Sequence, residues 1–261
     1  MRALARSERA AERISGADEV VIGNVTAPSS LTGLCNGVET VISTIGITHQ
    51  KDGLTYNDVD YRGNVNLLRE AEASGVRKFL YVSVLHAEQM PHLKIVQAKE
   101  KFVRALRESR IATVVVRPNG FFSDMREFLN MAARGRIYLF GDGHFRGNPI
   151  HGADLARFCV DALSSGQSEH DVGGPAIYTQ REIAEAAFRA VGKKIRLMSV
   201  PVGVARAIVG ALRLATSSKV YGPIEFFVEV LSRDMVGPKY GTESLIDFFE
   251  QEARAVGGGI G

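Results

Sequence analysis

Cysteine is scarce in this sequence: Cys35 and Cys159 are its two, far apart and without C-x-x-C spacing. That argues against a zinc site and fits free thiols in a reducing compartment. Charge of one sign is scarce as well. The net charge is +3 over 261 residues, so no basic or acidic excess points to nucleic acid or to an acidic membrane surface. A long apolar run is missing. The most apolar stretch, residues 200–215, is interrupted by Arg206 and Arg213 and falls short of the roughly 20 residues that a membrane span requires. It reads as a buried or partly buried helix. The opening MRALARSERAAER has no apolar segment of a secretory signal, and Glu8 and Glu12 argue against a transit peptide. These absences predict a soluble, cytoplasmic protein. Hydrophobic residues make up 45% of the chain, ample for the core of one large α/β domain or a domain with a small appendage.

The first half alternates short apolar runs with helical patterns, the signature of a parallel sheet with crossover helices. Strands are expected over 3–5, 19–23 (EVVIG), 38–43 (VETVIS), 78–83 (KFLYVS) and 113–117 (TVVVR), the last stopped by Pro118. Helices are expected over 7–14, 57–74 and 94–109, with Gly75 at the C-terminal cap of the second. Largely apolar strands suit a sheet buried on both faces. The second half is more helical, with two short strand candidates at 176–178 and 195–200. Thr179 and Glu182 form a capping box that starts a helix.

In an open parallel sheet, ligands bind beyond the carboxyl ends of the strands. Three strand-end loops carry residues suited to this: Ser43 to Thr48, Ser83 to His86, and Arg117 to Phe122. Gly46 allows close backbone approach, and the hydroxyls offer hydrogen bonds. The helix over 94–109 adds a sharper clue. Ile95, Ala98, Phe102, Val103 and Leu106 share one face, and Lys99 falls within it. A lysine in a buried stripe needs a partner, or it snorkels to solvent. His151 suits either the mouth of a pocket or the cap of the helix that follows, while Asp154 suits that helix's dipole and reads as structural. His49, His86, His92, His144 and His170 show no metal-ligand spacing, and no metal is expected.

The segments DYRGNVNLLREAEASGVRKFLYVSV, QAKEKFVRAL, VVVRPNGFFSDMREF and YLFGDGHFRGNPIHGADLARFCVDAL resemble the atypical short-chain dehydrogenases, in their NmrA-like, NAD(P)H-binding branch. The resemblance covers nearly the whole chain. It implies an α/β fold: a doubly wound parallel Rossmann-type sheet over 1–150 and a small, mainly helical C-terminal lobe over 151–261. It implies hydride transfer between NADP, ahead of NAD, and a small carbonyl or enone substrate. It also implies that residues 1–7 match the family's second strand, so that roughly 30 residues of a first βα unit and its glycine-rich phosphate turn are expected to be missing. The glycines at 257–259 follow no strand and cannot replace that turn.

Matched position by position, Arg6 and Ser7 fall at the adenosine ribose, where Arg6 favours a 2′-phosphate. Asn24 and Val25 fall at the adenine edge. Thr44, Ile45 and Gly46 fall along the cofactor, Ser83 and Val84 on the substrate side, and Asn119, Gly120 and Phe121 beside the nicotinamide. Lys99 matches the lysine of the family's Tyr-x-x-x-Lys pair and is the expected catalytic residue. The tyrosine position holds Ile95, which transfers no proton. A non-catalytic dinucleotide sensor or scaffold, or a truncated product unable to hold cofactor tightly, therefore stands beside the oxidoreductase reading. The partners implied are a small-molecule substrate and, since helices like 57–74 and 94–109 pair across dimers in the superfamily, a homodimer.

Overall fold

The computed structural model of the chain describes residues 1–48, 50 and 53–257. His49, Gly258 and Gly259 lie outside the described residues. The described chain forms two compact units, residues 1–83 with 94–115 and residues 84–93 with 116–261.

In the first unit, β1 (Arg2–Ala5) and β2 (Glu19–Ile22) pair in parallel, from Arg2 opposite Glu19 to Ala5 opposite Ile22. The short helix α1 (Glu8–Ala11) makes the crossover, and its N-cap Ser7 accepts a hydrogen bond from Ala10 N through its hydroxyl. β3 (Thr40–Ser43) pairs in parallel with β4 (Lys78–Val82), and the next neighbour of β4 is β5 (Ala112–Pro118). β1 and β3 are each at the edge of their own sheet. Phe79, Leu80 and Tyr81 on β4 are fully buried, as expected for a strand covered on both faces. Phe79 and Tyr81 on one face pack in a single cluster with Leu67, Leu68 and Ala71 of α2 (Asn64–Ala73) and with Phe102, Val103 and Leu106 of α3 (Lys94–Arg107). Phe102 of α3 meets Tyr81 edge-on at 4.7 Å and Phe79 at 5.9 Å, joining helix to sheet. α2 ends at Gly75, whose φ of +74° is left-handed, the conformation that caps a helix and suits glycine.

One helix departs from expectation. The segment predicted as a helix over 57–74 opens with a π-helical turn, Asn57–Gly63, before α2 begins. Such turns are rare and concentrate at functional sites.

In the second unit, α4 (Phe122–Ala133), α6 (Gln180–Ala190) and α9 (Leu245–Gly257) pack around Phe128, Ile137, Phe188 and Phe249. β6 (Ile137–Phe140) pairs in parallel with β10 (Leu197–Val200), and β7 (Arg146–Gly147) antiparallel with β9 (Tyr178–Thr179). The carboxyl half of β5 runs beside β8 (Glu169–Val172). This corrects the expectation of two strands in the second half, because β6, β7 and β8 went unread. β8, Glu-His-Asp-Val, buries Val172 alone and shows no apolar run; neighbouring backbone makes it a strand. The Thr179–Glu182 capping box forms as expected and starts α6. α5 (Gly152–Ala162) is capped by His151, whose Nδ1 accepts from Ala153 N. Asp154 is fully buried and accepts from Thr242 N and Glu243 N, a structural role. The apolar stretch at 200–215 becomes α7 (Val202–Ala215), packed on α8 (Ser218–Leu231). It is partly buried: Ala205 and Val209 are covered, while Ile208 and Leu214 are exposed. No helix among the described residues is long and apolar enough to cross a membrane.

Candidate functional site

One cleft of about 1170 Å³ within the first unit runs along β1, β2 and β3, from their amino ends at Arg2, Glu19 and Thr40 to the loops beyond their carboxyl ends. Six of the residues singled out in the sequence line it: Arg6, Asn24, Val25, Thr44, Ile45 and Gly46. Arg6 is exposed at the end of β1 and has no ion-pair partner among the described residues. Asn24 folds its own loop. Its Oδ1 accepts from Thr26 N at 3.0 Å and from the Thr26 hydroxyl at 2.9 Å, and its N donates to Ser30 Oγ at 2.8 Å. Val25 is tied to the helical side, since its carbonyl accepts from Asn66 Nδ2 at 2.8 Å. Ser7 is committed to capping α1 and does not line the cleft. Cys35 lines it, but burial pushes its thiol up to about 11, which leaves no thiolate for chemistry at neutral pH.

Lys99 does turn inward, and the structure supplies the partner that its place in the buried stripe demands. Its Nζ lies 3.1 Å from Asp60 Oδ1 and 3.5 Å from the Tyr81 hydroxyl. The Asp60 side chain is fully buried, and that of Lys99 is 13% exposed. The other carboxylate oxygen, Oδ2, accepts from Ile47 N at 3.2 Å, so Asp60 ties the loop after β3 to α3. Burial pushes the Asp60 carboxyl above the ordinary carboxylate range, and the charge of Lys99 pulls it back. Burial also works to discharge Lys99, but Tyr81 and Asp60 outweigh it and hold the ammonium above the usual lysine value. Gly46 sits against this pair. A Cβ there would lie 2.6 Å from Lys99 Nζ and 2.7 Å from Asp60 Oδ1, so the position admits glycine alone without a shift.

The loop is braced further by Asn64. Its Oδ1 accepts from the Ser43 hydroxyl at 2.6 Å, and its Nδ2 donates to Ile45 O at 3.2 Å and Asp60 O at 2.9 Å. Neither Asp60 nor Tyr81 was singled out from the sequence. The signal for Asp60 was present. Asp60, Asn64, Leu67 and Ala71 follow helical spacing, and all four are buried. A carboxylate in that stripe poses the same question as Lys99 does in its own.

Ser83 ends β4 as a buried residue, and its hydroxyl donates to Glu100 at 2.8 Å. Asn119, Gly120 and Phe121 belong to the second unit. There Asn119 is buried, with Nδ2 donating to Asn148 Oδ1 at 3.0 Å and to Met235 O. Gly120 N donates to the Asn119 side chain at 2.7 Å, and Phe121 is the N-cap residue of α4. Asn119 is thus held in a structural network of its own unit. Ile95 is buried on α3.

Residues 1–166 match a family described as NAD(P)H-binding. Among curated proteins, the chain is 29% identical to the chloroplastic divinyl chlorophyllide a 8-vinyl-reductase of Oryza sativa subsp. indica, over 75% of this chain and 55% of the relative. It is 24% identical to the photosystem II assembly factor Ycf39 of Synechocystis, over 72% of this chain and 58% of the relative. The chain therefore spans a little over half the length of these relatives. Among solved structures it resembles the NADPH-dependent quinone oxidoreductase QOR2 of Escherichia coli in complex with NADPH. The TM-score is 0.68 at 15% identity, covering 98% of this chain and 89% of that one, a likeness of fold.

Proposed function

This chain belongs to the NAD(P)H-binding family, and from that premise we propose that it is an oxidoreductase-like protein holding NADPH, ahead of NADH, along the cleft of its first unit. The observation that carries the reading is the convergence of three strand ends on one cleft, with the unpaired Arg6 at β1 and the Lys99 ammonium beneath Gly46 at β3. The donor set fits the two ends of a dinucleotide. Arg6 offers a planar fork to a 2′-phosphate. Asn24 and Val25 border the adenine. Lys99 is not among the cleft-lining residues; its ammonium lies behind Gly46, and the donor it has beyond those spent on Asp60 and Tyr81 is assigned to a ribose hydroxyl on the family resemblance. Ser83, Asn119, Gly120 and Phe121 are assigned to the substrate and nicotinamide side on the family resemblance alone. The nicotinamide, when bound, would supply a hydride to a small carbonyl or enone. The rice relative is named for reduction of a vinyl group, which favours the conjugated-alkene side of that pair.

One observation favours a second reading, that of a dinucleotide sensor without turnover. Lys99 is held charged by Asp60, the tyrosine position is Ile95, and the Tyr81 hydroxyl is fully buried. A firmly charged lysine releases its proton poorly, and a buried phenol does not reach a substrate. Calorimetric titration with NADPH and NADH tests the first reading. Binding of NADPH tighter than NADH is expected, and heat from neither refutes it. Oxidation of bound NADPH on addition of small quinones or enones separates the enzyme from the sensor.

A further inference from the structure

The π-helical turn at Asn57–Gly63 carries a carboxylate, Asp60, out of reach of bulk solvent. Asp60 is fully buried, and its Oδ1 faces the Lys99 ammonium at 3.1 Å, with no neutral hydrogen-bond donor on that oxygen among the described residues. Oδ2 takes Ile47 N, which directly follows the Thr44–Ile45–Gly46 segment and lines the cleft with it. One side chain thus fixes both the cation and the loop that covers it. Tyr81 approaches from β4 at longer range, 3.5 Å from Nζ with its ring centroid 5.5 Å away, and shares in holding the ammonium charged. Glu100, the nearest acid on α3 itself, receives the Ser83 hydroxyl instead. Asp60 is therefore the group that decides where the ammonium sits. The missing Cβ at Gly46 leaves the ammonium against the cleft wall, since any side chain there would fall within 2.6 Å of Nζ.

We propose that Asp60 is the positioning residue of the dinucleotide site: it pins the Lys99 ammonium under Gly46 and thereby presents a fixed positive charge to the ligand. This rests on the NADPH-binding reading above. A buried carboxylate–ammonium pair of this kind costs desolvation, and a plain apolar contact would pack the same space. Its return is a cation held in one place with one partner on each side, as preorganised sites require.

The experiment follows the Lys99 side chain directly. NMR of lysine-labelled protein, with the Lys99 signal assigned by its loss in Lys99→Met, is recorded from neutral to alkaline pH in the parent and in Asp60→Asn. Calorimetry with NADPH is run on both. In the parent, Lys99 stays protonated after the surface lysines have titrated near about 10.4. In Asp60→Asn it titrates earlier than in the parent, because Tyr81 alone then opposes burial. The NADPH dissociation constant rises about tenfold or more, the size of one misplaced charge-assisted hydrogen bond. Identical Lys99 titration in the two proteins overturns the proposal, and so does an altered titration with unchanged NADPH affinity. Should Asp60→Asn fail to fold, Gly46→Ala decides. It keeps both charges but drives a methyl into them, and an unchanged Lys99 signal with unchanged affinity overturns the proposal as well. A parent that binds no NADPH overturns the functional reading and the role assigned to Asp60 within it. The Lys99 titration then still shows whether Asp60 holds the ammonium, so the two failures are told apart.

Discussion

Replacing Lys99 by Met tests the site through stability alone. Met fills the space of the lysine stem and keeps its apolar contacts on α3, so the change removes chiefly the charge. Were Lys99 a lone inward lysine, this would be neutral or stabilising, since no charge remains to desolvate. The buried Asp60 at 3.1 Å reverses the sign. Removing one partner of a buried pair leaves the other uncompensated and costs about 3–5 kcal/mol. For a chain of this size about 1 kcal/mol moves the melting temperature by roughly 2–4 °C, so a loss of about 6–20 °C is expected. The pH dependence follows from Asp60. Its folded-state pKa is raised by burial, and without Lys99 only backbone hydrogen bonds, Ile47 N among them, pull it back. In the window between the unfolded value and that raised value, the folded state binds the extra proton, so stability falls as pH rises. The deficit of Lys99→Met should therefore be larger at pH 8 than at pH 5. Asp60→Asn combined with Lys99→Met should recover most of the loss, because a neutral amide replaces the stranded carboxylate. Thermal unfolding followed by circular dichroism at both pH values reads all of this. A Lys99→Met protein as stable as the parent at pH 8 would refute the argument.

Other outcomes follow from the same structure. Arg6→Ala should weaken NADPH binding about tenfold or more and leave NADH nearly untouched by calorimetry, since a guanidinium on a 2′-phosphate is charge-assisted and bidentate; equal losses would remove Arg6 from that role. Binding of NADPH to the chain itself should be micromolar or weaker, because no helix N-terminus is among the cleft-lining residues to hold a pyrophosphate, and a submicromolar dissociation constant would contradict this. β1 and β3 each have a strand on one side only, and Ile42 on β3 is 45% exposed. An apolar strand and helix grafted ahead of Met1 from a close relative should raise the melting temperature, and no change would mean that those edges are already covered. Thr179→Ala should cost about 1 kcal/mol in urea unfolding by opening the capping box of α6. The backbone and hydroxyl of Thr179 hold the Glu182 carboxyl below its usual range, so that part of the stability is full above the unfolded glutamate value and fades as pH falls. A loss that is unchanged at low pH would count against the cap.

What the sequence determined by itself is what local pattern can encode. Alternating apolar runs and helical periods require a parallel α/β sheet, and β1 to β5 fall close to their expected positions. The stripe on α3 turned Lys99 inward and told that it needed a partner. Ser7, Gly75, His151 and the Thr179–Glu182 box cap helix ends through neighbours a few residues away, which is why their roles could be read in one dimension. The rest depends on packing between distant segments. Which acid meets Lys99 is set by how α3 lies on the turn at Asn57–Gly63, and that turn winds as π rather than α. β8 forms because the backbone of β5 lies beside it, with no apolar run to announce it. The sequence spacing of Lys99 stated that a charge was buried; only the tertiary structure, by bringing Asp60 and Tyr81 within reach of one nitrogen and Gly46 up against it, decided what that charge is held by.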